Sequence, residues 1–360
     1  MWVSPLLSWP GAVAATSADT GVAWHYGNPV AEQRALEAGT AVVDCSHLGV
    51  VTVTGPDRLS WLHSITSQHL AHLPPRTSTE TLVLSPNGHV EHAAAVVDDA
   101  TTTWLITRTH QALAAWLDSM RFMLRVEVAD VTDQWAAIGE PLRGDSENTA
   151  TTWCDPWPTT APRGTRYGLP DDEHPGSRRA WRLVLVPRGE LEAHVAARQG
   201  AGAHLAGTWA TEALRIAAWR PCAAHEVDHR TLPHELDWLR TAVHLDKGCY
   251  RGQETVARVH NLGRPPRRLV MVHLDGSQHL LPEVGTPVLT ASGATAGVLT
   301  SAERHHELGP VGLAVIRRTT GVEEVLTVAT ADGELVAAAQ EVIVNSEGTT
   351  ADRLVPRGHA

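Results

Sequence analysis

The chain has 360 residues, 43% of them hydrophobic and 19% charged, a globular composition that excludes an extended disordered protein. Twenty-nine bases face 40 acids, giving a net charge of −11. That balance disfavours broad, sequence-independent nucleic-acid binding, which rests on bases neutralising phosphates.

In chain order, the apolar stretch from Trp2 to Ala15 is cut by Ser4, Pro5, Ser8, Pro10 and Gly11 and has no base before it. Neither a membrane span nor a signal peptide is expected there. Asn28-Pro29 predicts a helix start, with Gly39 as its terminator after Leu36. Val50 to Thr54 alternates as a strand, and Gly55-Pro56-Asp57 turns into a helix carrying Leu59, Leu62 and Ile65. Thr81 to Leu84 and Val90 to Val97 flank Pro86-Asn87-Gly88, a hairpin signal. Trp104 to Thr107 is a further strand, Leu113, Trp116, Leu117 and Met120 form a helical stripe, and Arg125 to Ala129 alternates again. Two helices among several strands between about 50 and 130 suggest a split β-α-β unit in an α+β layer.

From Asp145 to Ser177 the sequence is rich in Pro, Gly, Thr and Asp, predicting a long loop or insertion. Trp181 to Pro187 is a strand. Thr208 to Trp219 is a helix with Ala210, Leu214, Ala217 and Ala218 on one face, closed by Pro221. After Pro265-Pro266, short apolar runs separated by Gly285, Gly293, Gly297, Gly309 and Gly312 predict a small all-β unit. Ser346 to Ala360 is polar and predicted to be a loose tail. Its Leu354 to Gly358 stretch resembles a protease site used in expression, although Leu185 to Gly189 repeats the same letters.

Four cysteines, at 45, 154, 222 and 249, show no metal-ligand spacing, which fits a reducing, cytoplasmic compartment. His225-Glu226-Val227-Asp228-His229 matches a zinc-protease pattern that requires a helix, but it lies between Pro221 and Pro233 without an apolar stripe. No metal site is therefore expected. Neither a glycine-rich phosphate loop nor a nucleophile elbow is present, which weighs against nucleotide-dependent and hydrolase chemistry.

The informative segment is Lys247-Gly248-Cys249-Tyr250-Arg251-Gly252-Gln253-Glu254. Lys247 is the only lysine in the chain. Coding bias toward arginine is one reading of that fact; a site that needs a compact ammonium is the other. Cys249 reads either as a thiol activated by Lys247 or as a packing residue. Lys247, Arg251, Arg258, Arg264, Arg267 and Arg268 against the single acid Glu254 read either as a site for an anionic ligand or as a solvated basic face.

This octapeptide resembles the signature of the YgfZ-type folate-binding proteins, a branch of the glycine-cleavage T-protein (aminomethyltransferase) superfamily. Val42-Val43-Asp44-Cys45-Ser46-His47, Thr54-Gly55-Pro56-Asp57, Leu62 to Thr66, Glu212-Ala213-Leu214-Arg215-Ile216, Leu232-Pro233-His234-Glu235 and Gly285 to Ser301 resemble further segments of that superfamily. The resemblance implies an α+β, three-domain ring with a ferredoxin-like layer, a small C-terminal β-barrel and a central folate-sized cavity. The implied boundaries are 1–48 with 135–262, then 49–134, then 263–345, with 346–360 as tail. It also implies tetrahydrofolate or a one-carbon derivative as cofactor. Cys249 would be the reactive group and Lys247 its tuning cation. Arg215, Glu192, Glu190, Tyr250, Gln253, Glu254 and Arg258 would contact folate. The implied role is a cytoplasmic accessory factor in iron–sulfur cluster assembly or repair, with client or assembly proteins, including tRNA-modifying enzymes, as partners. No direct nucleic-acid or membrane contact is expected. The aminomethyltransferases carry adjacent aspartates on a hairpin where this chain has Asn87-Gly88-His89-Val90-Glu91-His92, so folate-dependent aminomethyl or other one-carbon transfer is the alternative. A binding module with structural folate, in which Cys249 only packs, is a third reading.

Overall fold

The computed structural model of the chain describes residues 2–142, 151–277 and 279–350. Asp145, the expected start of the long loop, and the Leu354–Gly358 stretch lie outside the described residues. Two short strands, β1 (Val13–Ala14) and β2 (Ala23–His25), pair near the N-terminus. Helix α1 (Pro29–Glu37) follows, its first turn capped by the Asn28 side chain, which accepts from the Ala31 N–H.

The first sheet contains β3 (Ala41–Asp44), β9 (Trp135–Pro141), β10 (Thr152–Cys154), β11 (Trp181–Pro187) and β12 (His204–Ala206), in the order β10-β11-β9-β3-β12. It therefore joins strands from both sides of residues 49–134. Strand alternation gives it two apolar faces. Val42, Ile138, Val184 and Val186 pack on α4 (Leu191–Gly200) through Leu191 and Val195. Val43, Ala137, Leu183 and Leu185 pack on the opposite side, with Leu36 of α1 and Ala210 of α5 (Thr208–Ala217).

The second sheet contains β4 (Gly49–Thr54), β5 (Ser78–Leu84), β6 (Val90–Asp98), β7 (Thr102–Thr107) and β8 (Glu127–Asp130), in the order β5-β6-β7-β4-β8. Every pairing in it is antiparallel, and β7 and β8, joined through the helix His110–Met120, run parallel to each other with β4 inserted between them, the split β-α-β arrangement expected for this layer. Trp61 and Leu62 of α2 (Arg58–Ile65) and Leu113 and Leu117 of α3 (His110–Met120) cover one face, against Val51, Val53, Val96 and Leu105. Val50, Val97, Trp104 and Ile106 point the other way and share a core with the first sheet.

The glycine-punctuated C-terminal region forms a closed barrel. Strands β13 (Arg267–Leu274), β14 (Pro287–Thr290), β15 (Thr295–His305), β16 (Gly309–Arg317), β17 (Leu326–Ala329) and β18 (Leu335–Val342) run in the order β13-β16-β15-β14-β17-β18, with β13 also paired to β18. Val270, Val272, Ala314 and Ile316 fill the barrel. The alternate residues Leu269, Met271, Leu313 and Val315 point outward and pack on Trp219, Leu236, Trp238 and Tyr250. The expected tail is not loose at its start. The Asn345 side chain, just ahead of it, donates to the main-chain oxygens of Tyr167 and Thr349, and Thr350 is buried.

Candidate functional site

The octapeptide forms the loop that enters α7 (Gln253–Asn261), and it is docked on the β5–β6 turn. Gly252 begins α7 at φ +84, and a Cβ there would stand 2.6 Å from the Ser85 carbonyl. Gly88 closes the fit from the other side, since its Cβ would stand 2.9 Å from the Thr255 side chain.

Lys247 has a structural position that sequence spacing does not reveal. Its ammonium donates to the main-chain oxygens of His63, Thr66 and Gln68 and lies 4.8 Å from the centre of the Tyr250 ring. Helix α2 ends at Ile65, so the ammonium satisfies carbonyls that a helix C-terminus leaves open. Three donors on one compact centre suit three converging carbonyls, whereas a planar guanidinium does not. Burial pushes Lys247 down to about 7. Its charge is thus directed into α2 and the second sheet; among the described residues no contact joins it to the Cys249 sulfur.

The other signature residues divide in the same way. Tyr250 is buried in the core shared with the barrel, and its N–H donates to the Gln253 side chain. Glu254 and Arg258 are exposed on α7. The expected anion site does not form from the basic run. Arg251 pairs with Glu91 at 2.8 Å, Arg267 with Asp228 and Glu235 at 2.7 Å each, and buried Arg268 reaches Thr320 and Gln340. Cys249 is exposed, whereas burial pushes the Cys45 thiol up to about 12 and raises that of Cys154. Limiting iodoacetamide, followed by peptide mass spectrometry, is expected to label Cys249 first at every pH from 7 to 9. Earlier labelling of Cys154 would contradict this.

Glu190 and Glu192 do not join Arg215. Both are exposed at the start of α4, with Glu192 accepting from the Trp9 indole, on the face of the first sheet opposite to α5. Their sequence position close to β11 gave no information on which face α4 would take.

Arg215 is buried where α5 meets the barrel. It donates to Glu212, to Glu226 at 2.9 Å, to Ser301 on β15 and to the Arg220 carbonyl. Glu226 ends the short helix α6 (Ala223–Glu226) and also accepts from Thr300 and Ser301. This explains why the His225–His229 segment forms no zinc motif: the helix stops at Glu226, whose carboxylate is already fully engaged.

Around this ion cluster lie groups from every part of the fold. Arg108, just beyond β7, pairs with Asp19 at 2.8 Å. Asp19 also lies 3.3 Å from His47. Burial pushes the Asp19 carboxyl up, but His47 and Arg108 outweigh it and hold the group well below the usual carboxylate range. Cys222 and Glu212 lie within electrostatic reach of Arg108. Glu303 on β15 faces Glu212 and Asp19, and burial pushes its carboxyl up to about 8. Several polar atoms of the N-terminal segment and α5 are buried without a hydrogen-bond partner: Tyr26 Oη, His47 Nδ1, Thr208 Oγ1 and Trp209 Nε1. Buried polar atoms are normally satisfied, so this set marks an interior that water or a ligand completes. Sequence reading found only Arg215 of this group. Thr208 and Glu212, at helical spacing from Arg215, were the available signal.

A separate cavity of about 420 Å³ lies between the first sheet and the barrel, bordered by Leu36, Arg179, Trp181, Leu214, Trp219 and Met271. Neither Arg215 nor any residue of 247–258 lines it. Thr211, Leu214 and Ala217 of α5 and the capping Ala218 face this cavity, whereas Thr208, Glu212 and Arg215 occupy another helix face. At its edge Glu37, His305 and His306 bring possible metal ligands within 4.8 Å of one another. However, His305 Nδ1 accepts from the Glu307 and Leu308 N–H groups, which leaves its proton on Nε2, toward Glu37. His306 Nε2 lies 2.5 Å from the Glu37 carboxylate, and His306 Nδ1 is buried without a hydrogen-bond partner.

Residues 7–140 match the family described as the GCVT N-terminal domain. The chain is 26% identical over 296 residues to a putative chloroplastic transferase of Arabidopsis thaliana, covering 79% of this chain and 66% of that protein. It is 37% identical over 100 residues to the mitochondrial iron–sulfur cluster assembly factor IBA57 of Mus musculus, which covers 26% of this chain and 25% of the relative. The crystal structure of the glycine cleavage system aminomethyltransferase T from Bartonella henselae matches with a TM-score of 0.76 at 16% identity, over 96% of this chain and 97% of that one. The fold is therefore the T-protein fold, with its mixed α/β sheets and C-terminal barrel. In sequence the chain is aminomethyltransferase-like, and it spans just under two thirds of the Arabidopsis relative.

Proposed function

We propose that the chain is a cytoplasmic folate-binding accessory protein that supports iron–sulfur cluster assembly or repair in client enzymes, tRNA-modifying enzymes among them. Tetrahydrofolate or a one-carbon derivative would occupy the interior beside Arg215. The observation that carries this reading is the contrast between that interior and the hairpin. The interior holds charged groups and unpartnered buried polar atoms drawn from the N-terminal segment, α5, α6, β15 and the end of β7. On the hairpin, Glu91 is tied to Arg251, and His92 Nδ1 is 2.8 Å from the Thr109 hydroxyl. Such an arrangement offers a place to bind but no free carboxylate on the hairpin to take a proton from a reacting folate nitrogen.

In this reading Arg215 frames the site: its donors are already engaged, so it fixes Glu212 and Glu226 relative to β15. Cys249, exposed on the signature loop, faces client proteins and the cluster they carry. The similarity to an iron–sulfur assembly factor supports this role over the part of the chain that it covers. One-carbon transfer is the second reading, supported by the Arabidopsis relative's description as a transferase and by Glu303 as a proton-holding group in the interior.

Two experiments separate the readings. Incubation with tetrahydrofolate and an aminomethyl donor is expected to yield no methylene-tetrahydrofolate; sustained turnover would establish the transferase instead. Cys249→Ala is expected to retain tetrahydrofolate binding in calorimetry while losing support of a cluster-dependent client. Full client support by that variant would reduce the signature loop to a structural element.

A further inference from the structure

Resting on the folate reading, we infer that Glu303 is the carboxyl that recognises the ligand's paired N–H edge, the 2-amino-4-oxopyrimidine face of a reduced pterin. Its position on β15 carries the inference. Ser301, two residues earlier on the strand, bonds Arg215 and Glu226, so Glu303 leaves the same side of β15 toward α5. Its ladder partner Val311 lies in the core outside the barrel, which confirms that this side faces away from the barrel lumen.

No side chain among the described residues is bonded to the Glu303 carboxyl; the nearby donor is the main-chain N–H of Arg304. Every other acid around it is committed. Asp19 holds Arg108 and His47, Glu212 holds Arg215, and Glu226 holds Arg215, Thr300 and Ser301. The remaining charged and titratable groups facing this interior are Arg108, His225 and Cys222, and beside Glu303 on its own strand Arg304, whose guanidinium donates to the His279 carbonyl and only partly offsets the acids. Two observations beyond the acids themselves point to a ligand. The Thr208 hydroxyl and His47 Nδ1 belong to side chains more than nine-tenths buried, and neither has a partner. Thr208 precedes Glu212 and Arg215 by one and two helical turns on the same face of α5.

With Asp19 and Glu212 close by, Glu303 carries a proton near neutrality in the empty site. An incoming edge with two N–H donors replaces that proton: two hydrogen bonds form to the carboxylate, and the proton leaves to buffer. A guanidine-like edge meets a carboxylate in the paired geometry that such contacts favour.

Calorimetry with tetrahydrofolate at pH 7, in two buffers of different ionisation enthalpy, tests this on the full chain. The wild type is expected to release close to one proton for each ligand bound. Glu303→Gln, which has the shape of the protonated acid, is expected to bind about tenfold more weakly or worse and to release none. A thermal midpoint at or above the wild-type value confirms that the variant is folded. Affinity within twofold of wild type, with the same proton release, overturns the role of Glu303 and leaves the folate reading standing. Absence of tetrahydrofolate binding by the wild type overturns the reading and the inference together.

Discussion

Replacing Arg215 with alanine is expected to lower stability by about 3–5 kcal/mol, the cost typical of removing one partner of a buried ion pair. The side chain is 9% exposed and its partner Glu226 is 0% exposed, so water cannot take over the lost contacts. Burial disfavours the Arg215 charge, but Glu212 and Glu226 keep it ionised. After substitution Glu226 retains only the Thr300 and Ser301 hydroxyls and the Cys222 N–H around a buried negative charge. Because these groups come from α5, α6 and β15, the loss loosens the attachment of the barrel to the first sheet. Arg215→Lys is expected to recover part of the loss, since it restores charge without the fork that reaches Glu212, Glu226 and Ser301 together. Urea unfolding measures both variants. A change below about 1 kcal/mol for Arg215→Ala would show that the cluster has little energetic weight.

Glu303→Gln is expected to stabilise the unliganded protein at pH 8.5 by about 4–5 kcal/mol and to flatten its pH dependence. The sign follows from the raised pKa. The carboxyl titrates near the ordinary 4.5 when unfolded and at about 8 when folded. Between these values the folded chain holds more protons, so stability falls as pH rises and levels off above 8. Glutamine does not titrate and escapes that loss. Denaturant unfolding of both proteins from pH 5 to pH 9 checks this; parallel curves would mean that Glu303 is ionised in both states.

Local chemistry made much of the architecture legible. Asn28-Pro29 caps α1, the Pro86-Asn87-Gly88 turn joins β5 to β6, and the glycine-separated runs after Pro266 close into the barrel. The choice of β4 as the strand between β7 and β8 was not legible, because register between distant strands depends on which faces are buried.

The site was less legible than the fold for the same reason. Lys247 stands out in sequence as the single lysine, yet its role depends on carbonyls of residues 63, 66 and 68, nearly two hundred positions earlier. Gly252 is visible in the octapeptide, but the Ser85 carbonyl that its conformation brings close, and that together with the positive φ requires a residue without Cβ, comes from a turn far away in sequence. Arg215 was singled out, but its partner Ser301 and the neighbouring Glu303 come from a barrel strand about ninety residues away, which helix periodicity does not reach. Glu190 and Glu192, which the family resemblance implies as folate contacts, are separated from α5 by the first sheet, whose faces no local pattern in the sequence assigns.

The most direct test of the central claim is a crystal structure of the full chain grown with tetrahydrofolate. Ligand density between α5 and β15, with the pterin edge on Glu303 and the Thr208–Arg215 face beside it, is the predicted result. Density confined to the cavity beside Leu36, Trp181 and Met271, with the Arg215 interior holding only water, would contradict it.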